Sequence, residues 1–225
     1  MAANGFVRVV MRFTVPLGIA AFWGGLMVAA HVYPVGYDWR HQVLSELLDP
    51  NYDPVGYLWG CGALVACGVA GVAWTAALSA DRVDLWLLRS GFLCMSFVAL
   101  PDRVIPLPKG HELFAIVAFL GIGVGMIREM ITADDADRLP DPQRRLAVLQ
   151  SSLSAAMLLL ALSLIGVTLA YLTLVGRNSA WLAAIWRAPR VSQYLRLGPW
   201  EWIDCAAFSV GLLLLWQRLP GRWKY

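Results

Sequence analysis

Long apolar runs dominate this sequence, and each is about as long as a helix that crosses a lipid bilayer. Such a helix needs about 20 mainly apolar residues. The chain is 59% hydrophobic and only 15% charged, whereas soluble domains carry about a quarter charged residues. Since the bilayer interior offers no water to backbone groups, only helices and closed barrels span it, and these runs are continuous rather than alternating. The sequence therefore predicts a helical integral membrane protein.

The apolar runs predict six transmembrane helices in an all-α bundle. One domain accounts for the whole chain, residues 1–225, with no soluble module and no low-complexity linker between the runs. The predicted spans are 13–32, 56–78, 85–100, 113–131, 146–174 and 203–219.

The placement of Lys and Arg predicts the orientation of the bundle. More of these residues fall on the side that holds the N-terminus, which is the cytoplasmic side by the positive-inside rule. This gives an N-in and C-in topology. Tryptophans cluster near both predicted boundaries, as expected of rings at headgroup depth. Those near the outer boundary include Trp39, Trp59, Trp181, Trp186, Trp200 and Trp202, and those near the inner one are Trp74, Trp86, Trp216 and Trp223.

The densest polar segment, residues 37–49, follows the first apolar run. In a helix, Asp38, His41 and Ser45 would lie at positions i, i+3 and i+7 and share one face. The opposite face would carry Val43, Leu44, Leu47 and Leu48, so we predict a short amphipathic helix at the outer membrane surface. Residues 181–187 form a second candidate interfacial helix.

All three histidines, His31, His41 and His111, fall at the predicted outer boundary. Carboxylates lie on the same side, among them Asp102 and, inside the sixth span, Asp204. A carboxylate within a span is costly unless it is paired or hydrated. This outer cluster is the candidate functional site.

One interpretation of the cluster is a metal site. His41, His111 and an acid such as Asp102 or Asp204 would bind Zn²⁺ and activate water. The ligand types fit zinc, but they have no H-x-x-x-H or H-E-x-x-H spacing, so they would have to come from different helices.

A second interpretation is acid–base or nucleophilic catalysis. His41 would be the general base for Ser45 or for water, with Asp38 or a more distant acid orienting the imidazole. His41 and Ser45 are neighbours on a helix, at i and i+4.

Two interpretations involve no covalent chemistry. The polar side chains would cap and pin the outer loops, or they would belong to a lipid-binding, solute-binding or transport protein, or to a subunit of a membrane complex. For an anionic or lipid-linked headgroup, the candidate contacts are Arg103, Arg187 and Glu201. Membrane lipids are the expected partners, and nucleic acid is not, because the net charge of +3 is spread along the chain.

The string from His41 through Ser45 and Glu46, soon after the first span, resembles an uncharacterised family of bacterial and archaeal multi-span membrane proteins, domain of unknown function nine-nine-eight. His111, at the start of the fourth span after a Pro-rich loop, fits the same pattern. The resemblance implies a fold of about six helices and no established activity. A looser similarity is to the CREST membrane hydrolases, which combine Ser, Asp and His at a membrane boundary. This sequence lacks their H-x-x-x-H pair and their seventh span.

We therefore expect a six-helix bundle in the bacterial inner membrane, with its working face outward. The leading functional hypothesis is a hydrolase or transferase that acts on a lipid or lipid-linked headgroup. His41 would be base or ligand and Ser45 an orienting or nucleophilic hydroxyl, while His111 with Asp102 or Asp204 would complete the site. The alternative is a non-catalytic membrane protein that binds or transports a lipid or solute.

Overall fold

The computed structural model describes residues 2–40, 42, 44–78, 83–99, 110–131 and 197–218, and their side chains within 12–40, 42, 44–78, 85–99, 113–129 and 201–217. Within these ranges the regular elements are helices and no β-strand occurs. They are α1 (Ala2–Val32), the 3-10 helix η1 (Leu44–Leu48), α2 (Tyr57–Ala77), α3 (Val83–Val98), α4 (Gly110–Ile131) and α5 (Leu197–Arg218).

The predicted all-helical fold is confirmed for the described residues. Five of the predicted spans coincide with α1 to α5, and the predicted span at 146–174 lies outside the described residues. Two helices, Arg12–Val32 within α1 and Tyr57–Ala77, are long and apolar enough to cross a membrane. The number of spans and the N-in, C-in orientation stay predictions.

The predicted amphipathic helix over residues 37–49 is wrong in its first half. Only Leu44–Leu48 is helical, in 3-10 geometry, and the described residues before it form turns. The Asp38 carboxylate accepts the Arg40 backbone N–H at 3.0 Å, and the Gln42 side-chain oxygen accepts the Asp38 backbone N–H at 2.6 Å. Such side-chain bonds offer the backbone an alternative to the helical pattern. Asp38 and Ser45 therefore do not share a helix face.

Consecutive helices pack side by side, α1 on α2, α2 on α3 and α3 on α4. Glycines bring the backbones together at each interface. A Cβ atom added at Gly25 of α1 would lie 2.6 Å from the Trp59 carbonyl oxygen of α2, and one added at Gly91 of α3 would lie 2.6 Å from the Ile122 nitrogen of α4. Close backbone approach at small residues is the usual way in which membrane helices pack.

Helix α5 lies against both α1 and α4. The Trp23 indole N–H donates to Ser209 at 3.0 Å, and the rings of Phe119 and Phe208 meet at 5.2 Å between centroids. These contacts place the last helix beside the first, so the described helices surround a common interior.

The loop between α1 and α2 is anchored at both of its ends. Asp53 is fully buried, and its carboxylate accepts the Gly56 N–H at 2.8 Å while its carbonyl accepts the Tyr57 N–H. These two hydrogen bonds fix the turn that leads from Asp53 into α2. Leu44 and Leu47 of η1 are buried as well, and η1 rests on Gly60, where an added Cβ would meet the Leu47 carbonyl oxygen at 2.6 Å.

Candidate functional site

A cavity of about 130 Å³ lies between the helices. Every described helix and η1 contribute to its wall. Most of the lining is apolar, and it includes Phe22, Leu64, Phe92, Met95, Phe119 and Ile122. Small residues, among them Ala115 and Ala118 of α4, leave the space open.

One end of the cavity is polar, and η1 covers it. Ser45 of η1 and Glu201 of α5 line this end. Among the described lining residues, Glu201 is the charged one. A concave apolar site with a few convergent polar groups is the usual form of a small-molecule site.

Glu201 also holds η1 in place. Its carboxylate accepts the backbone N–H of Leu44, 157 residues earlier in the chain, and the Ser45 backbone N–H stabilises the ionised form in the same way. These N–H groups open the 3-10 helix, where the first donors have no partner within the helix. Glu201 therefore caps η1 from a different element.

The electrostatic surroundings of Glu201 are acidic. Glu201 precedes the predicted sixth span, which begins at residue 203, and burial raises its pKa to about 7, with Asp204 and Glu46 adding to the increase. Asp204 is only 5% exposed, and its Oδ1 has no hydrogen-bond partner among the described residues. Three carboxyl groups thus lie near the polar end of the cavity.

A row of aromatic rings runs from the loop after α1 to the start of α5. Centroid distances are 5.6 Å for Tyr33 to Tyr37, 6.0 Å for Tyr37 to Trp202, and 5.7 Å for Trp202 to Trp23. The Trp202 N–H donates to the Tyr37 hydroxyl at 3.1 Å, and the Tyr33 hydroxyl donates to Glu46 at 3.2 Å. The row ties the loop after α1 to the start of α5.

The pKa values of the two tyrosines keep them as hydrogen-bond donors. Burial, followed by the Glu46 charge, raises the pKa of Tyr33 to about 12. Burial also raises the pKa of Tyr37, with a smaller contribution from the charges of Glu201 and Glu46. Both hydroxyls therefore stay protonated at neutral pH.

The structure brings together two of the predicted site residues at the cavity, Ser45 and Glu201. Asp38 is exposed, and it does not line the cavity. Its predicted role in orienting His41 stays a prediction, because residue 41 lies outside the described residues. The carboxylate of Glu201 bonds to the backbone of η1, and its predicted contact with a lipid headgroup stays a prediction.

Other predicted site residues lie outside the described residues: His41, Asp102, Arg103 and Arg187. His111 belongs to the first turn of α4, but the structure does not describe its side chain. Within the described ranges, no group of three His, Cys, Asp or Glu residues could hold a metal ion. The zinc site built on His41, His111 and Asp204 remains a prediction.

Sequence reasoning missed most of the cavity lining. Cys67 and Cys205 both line it and are free thiols, and Met95 and Ser209 join them. These residues come from three helices, α2, α3 and α5, and no local spacing connects the three helices. A weak signal exists only in α5, where residues 201, 205, 208 and 212 repeat at helical spacing and face the cavity.

The sequence matches no family model, no curated protein and no solved structure.

Proposed function

We propose that this chain is a multi-pass protein of the bacterial inner membrane that binds a small apolar or amphiphilic molecule in its central cavity. The cavity itself carries the proposal: it is lined by every described helix, it is mostly apolar, and it has a polar end at Ser45 and Glu201. The apolar length of α1 and α2 supports the membrane location.

The cavity volume limits the ligand. At about 130 Å³ the space is close to an engineered apolar cavity of about 150 Å³ that stays dry and binds benzene. One aromatic ring or a short alkyl segment fits, and a whole phospholipid does not. The ligand is therefore a small molecule or the end of a longer chain.

Calorimetric titration with benzyl alcohol tests this proposal. The full chain is placed in phosphatidylcholine nanodiscs, and the heat from empty nanodiscs is subtracted. We expect saturable binding by the wild type and loss of that binding in Ala118→Leu, where three added carbon atoms enter the cavity. Ala115→Leu repeats the test from the previous turn of α4.

Ala66→Leu is the matched control. It makes the same change on the exposed side of α2, away from the cavity, and should bind as the wild type does. The proposal is overturned if the wild type binds no more than empty nanodiscs, or if folded Ala118→Leu and Ala115→Leu both bind normally.

A second candidate function is a hydrolase or transferase acting on a lipid or lipid-linked headgroup. The observation in its favour is that Ser45, the predicted nucleophile, lines the cavity. Its hydroxyl would attack a carbonyl or phosphorus centre and pass its proton to His41. The bond from that centre to the leaving alcohol would then break, with His41 giving the proton to the alcohol oxygen, and water would hydrolyse the resulting ester of Ser45 to release the acid and restore the hydroxyl. A fluorophosphonate probe should label the wild type and not Ser45→Ala, and an unlabelled wild type would contradict a serine nucleophile.

A further inference from the structure

The polar end of the cavity is acidic within the described part of the chain. Glu201 lines the end, and the groups that act on it electrostatically are Asp204 and Glu46, both acidic. Among the residues that the structure describes, no basic side chain contributes to the shift of its pKa. Where side chains are described, none of the cavity-lining residues is Arg, Lys or His.

Two of the basic side chains that the structure describes make contacts elsewhere. The Arg40 guanidinium lies 5.5 Å from the centroid of the Trp39 ring, in the exposed part of the loop. The Arg89 guanidinium donates to the Thr75 carbonyl at 2.8 Å and lies over Trp86. Neither neutralises the cavity end.

Glu201 is also fixed in position. The hydrogen bond from Leu44 holds one carboxylate oxygen against the first turn of η1, and the backbone N–H of Ser45 also bonds to the carboxylate. A carboxylate that is already oriented loses little entropy when a ligand binds, so its interaction with a positive group is stronger than that of a mobile surface acid.

We propose that the cavity selects a cationic amphiphile, with the apolar part of the ligand in the cavity and its protonated amine on Glu201. This inference rests on the proposed binding function and names the chemical class of the ligand. A buried hydrogen bond to a charged group contributes more binding free energy than a bond between neutral groups. We therefore expect the cavity to bind an amine at least about tenfold more tightly than an alcohol of the same shape.

Three ligands of matched shape test the inference: benzylamine, benzyl alcohol and benzoate. Each is titrated into the full chain in phosphatidylcholine nanodiscs, whose lipid has no net charge to attract the amine. We expect benzylamine to bind at least about tenfold more tightly than benzyl alcohol, and benzoate to bind more weakly than either.

Glu201→Gln removes the charge and keeps an amide oxygen that can accept the Leu44 N–H. In this variant the affinities for the amine and the alcohol should come within about twofold of each other. Asp49→Asn is the matched control. It makes the same carboxylate-to-amide change in the loop between α1 and α2, outside the cavity lining, and should keep the tenfold preference.

The outcomes separate the inference from the proposed function. Equal affinities for amine and alcohol in the wild type, or a preference that survives Glu201→Gln, overturn the cationic ligand. If benzyl alcohol still binds and Ala118→Leu still abolishes that binding, the cavity remains a ligand site. If none of the three ligands binds above empty nanodiscs, the proposed function itself is overturned.

Discussion

Gly25 and Gly24 are adjacent in α1 but face different surroundings. A Cβ atom at Gly25 would lie 2.6 Å from the Trp59 carbonyl oxygen and 2.6 Å from the Ala63 Cβ, whereas a Cβ at Gly24 meets nothing within 4 Å. Ordinary van der Waals contact begins at 3.4 Å. In Gly25→Ala the new Cβ atom must move from 2.6 Å to at least 3.4 Å from these two atoms, so α1 and α2 must separate. The Trp59 carbonyl oxygen belongs to the backbone and cannot rotate away.

Gly25→Ala should be less stable than Gly24→Ala. Overpacking of this kind costs about 1–3 kcal/mol, while replacing a helical glycine by alanine gains about 1 kcal/mol. Gly25→Ala should therefore lower the free energy of unfolding by up to about 2 kcal/mol. Gly24→Ala, with the gain and no clash, should be neutral or stabilising.

Thermal unfolding of both variants in the same detergent, followed by tryptophan fluorescence, measures the difference. We expect Gly25→Ala to unfold several degrees below Gly24→Ala. If Gly25→Ala is as stable as Gly24→Ala or more stable, then α1 and α2 do not pack through Gly25, and the helix arrangement around the cavity must be revised.

Three further predictions concern the acidic end, the metal hypothesis and the membrane topology. Glu201→Ala leaves the Leu44 N–H without its acceptor and should lower the free energy of unfolding by about 1–3 kcal/mol. Glu201→Gln keeps an acceptor and should lower it by clearly less. Equal losses of the two variants in chemical denaturation would contradict the capping role. Elemental analysis should find stoichiometric zinc in the wild type and not in His41→Ala or His111→Ala if the predicted metal site exists, and a metal-free wild type rejects that site. A cysteine placed at exposed Trp39, with the native cysteines replaced, should react with a membrane-impermeant maleimide on intact cells; labelling only after lysis would reverse the predicted orientation.

The positions of the helices could be predicted from the sequence because the bilayer sets a minimum length for an apolar run. The run over residues 56–78 is therefore close to Tyr57–Ala77 in the structure. The amphipathic helix predicted over residues 37–49 was too long. The apolar spacing of Leu44 and Leu47 correctly indicated that both side chains are buried. That spacing did not show that the side chains of Asp38 and Gln42 would bond to backbone N–H groups in the residues before Leu44.

The site could be predicted only in part, because its residues are distant in the chain. Ser45 and Glu201 stood out as polar residues near a predicted membrane boundary, and both line the cavity. No sequence pattern indicated that Glu201 would bond to the backbone of Leu44, because that contact depends on how α5 packs against the rest of the bundle. The same holds for Cys67 and Cys205, which appeared only as small residues within spans.

The long-range bonds of α5 also have a consequence for biosynthesis. Glu201 caps η1 from 157 residues away, Trp202 bonds Tyr37 across 165 residues, and Ser209 bonds Trp23 across 186. A ribosome makes α1, η1 and α2 long before it makes α5. During translation η1 and the loop before it therefore have none of these partners. Their hydrogen bonds to α5 form only when α5 enters the bundle. Closure of the cavity is accordingly a late step in the assembly of the nascent chain.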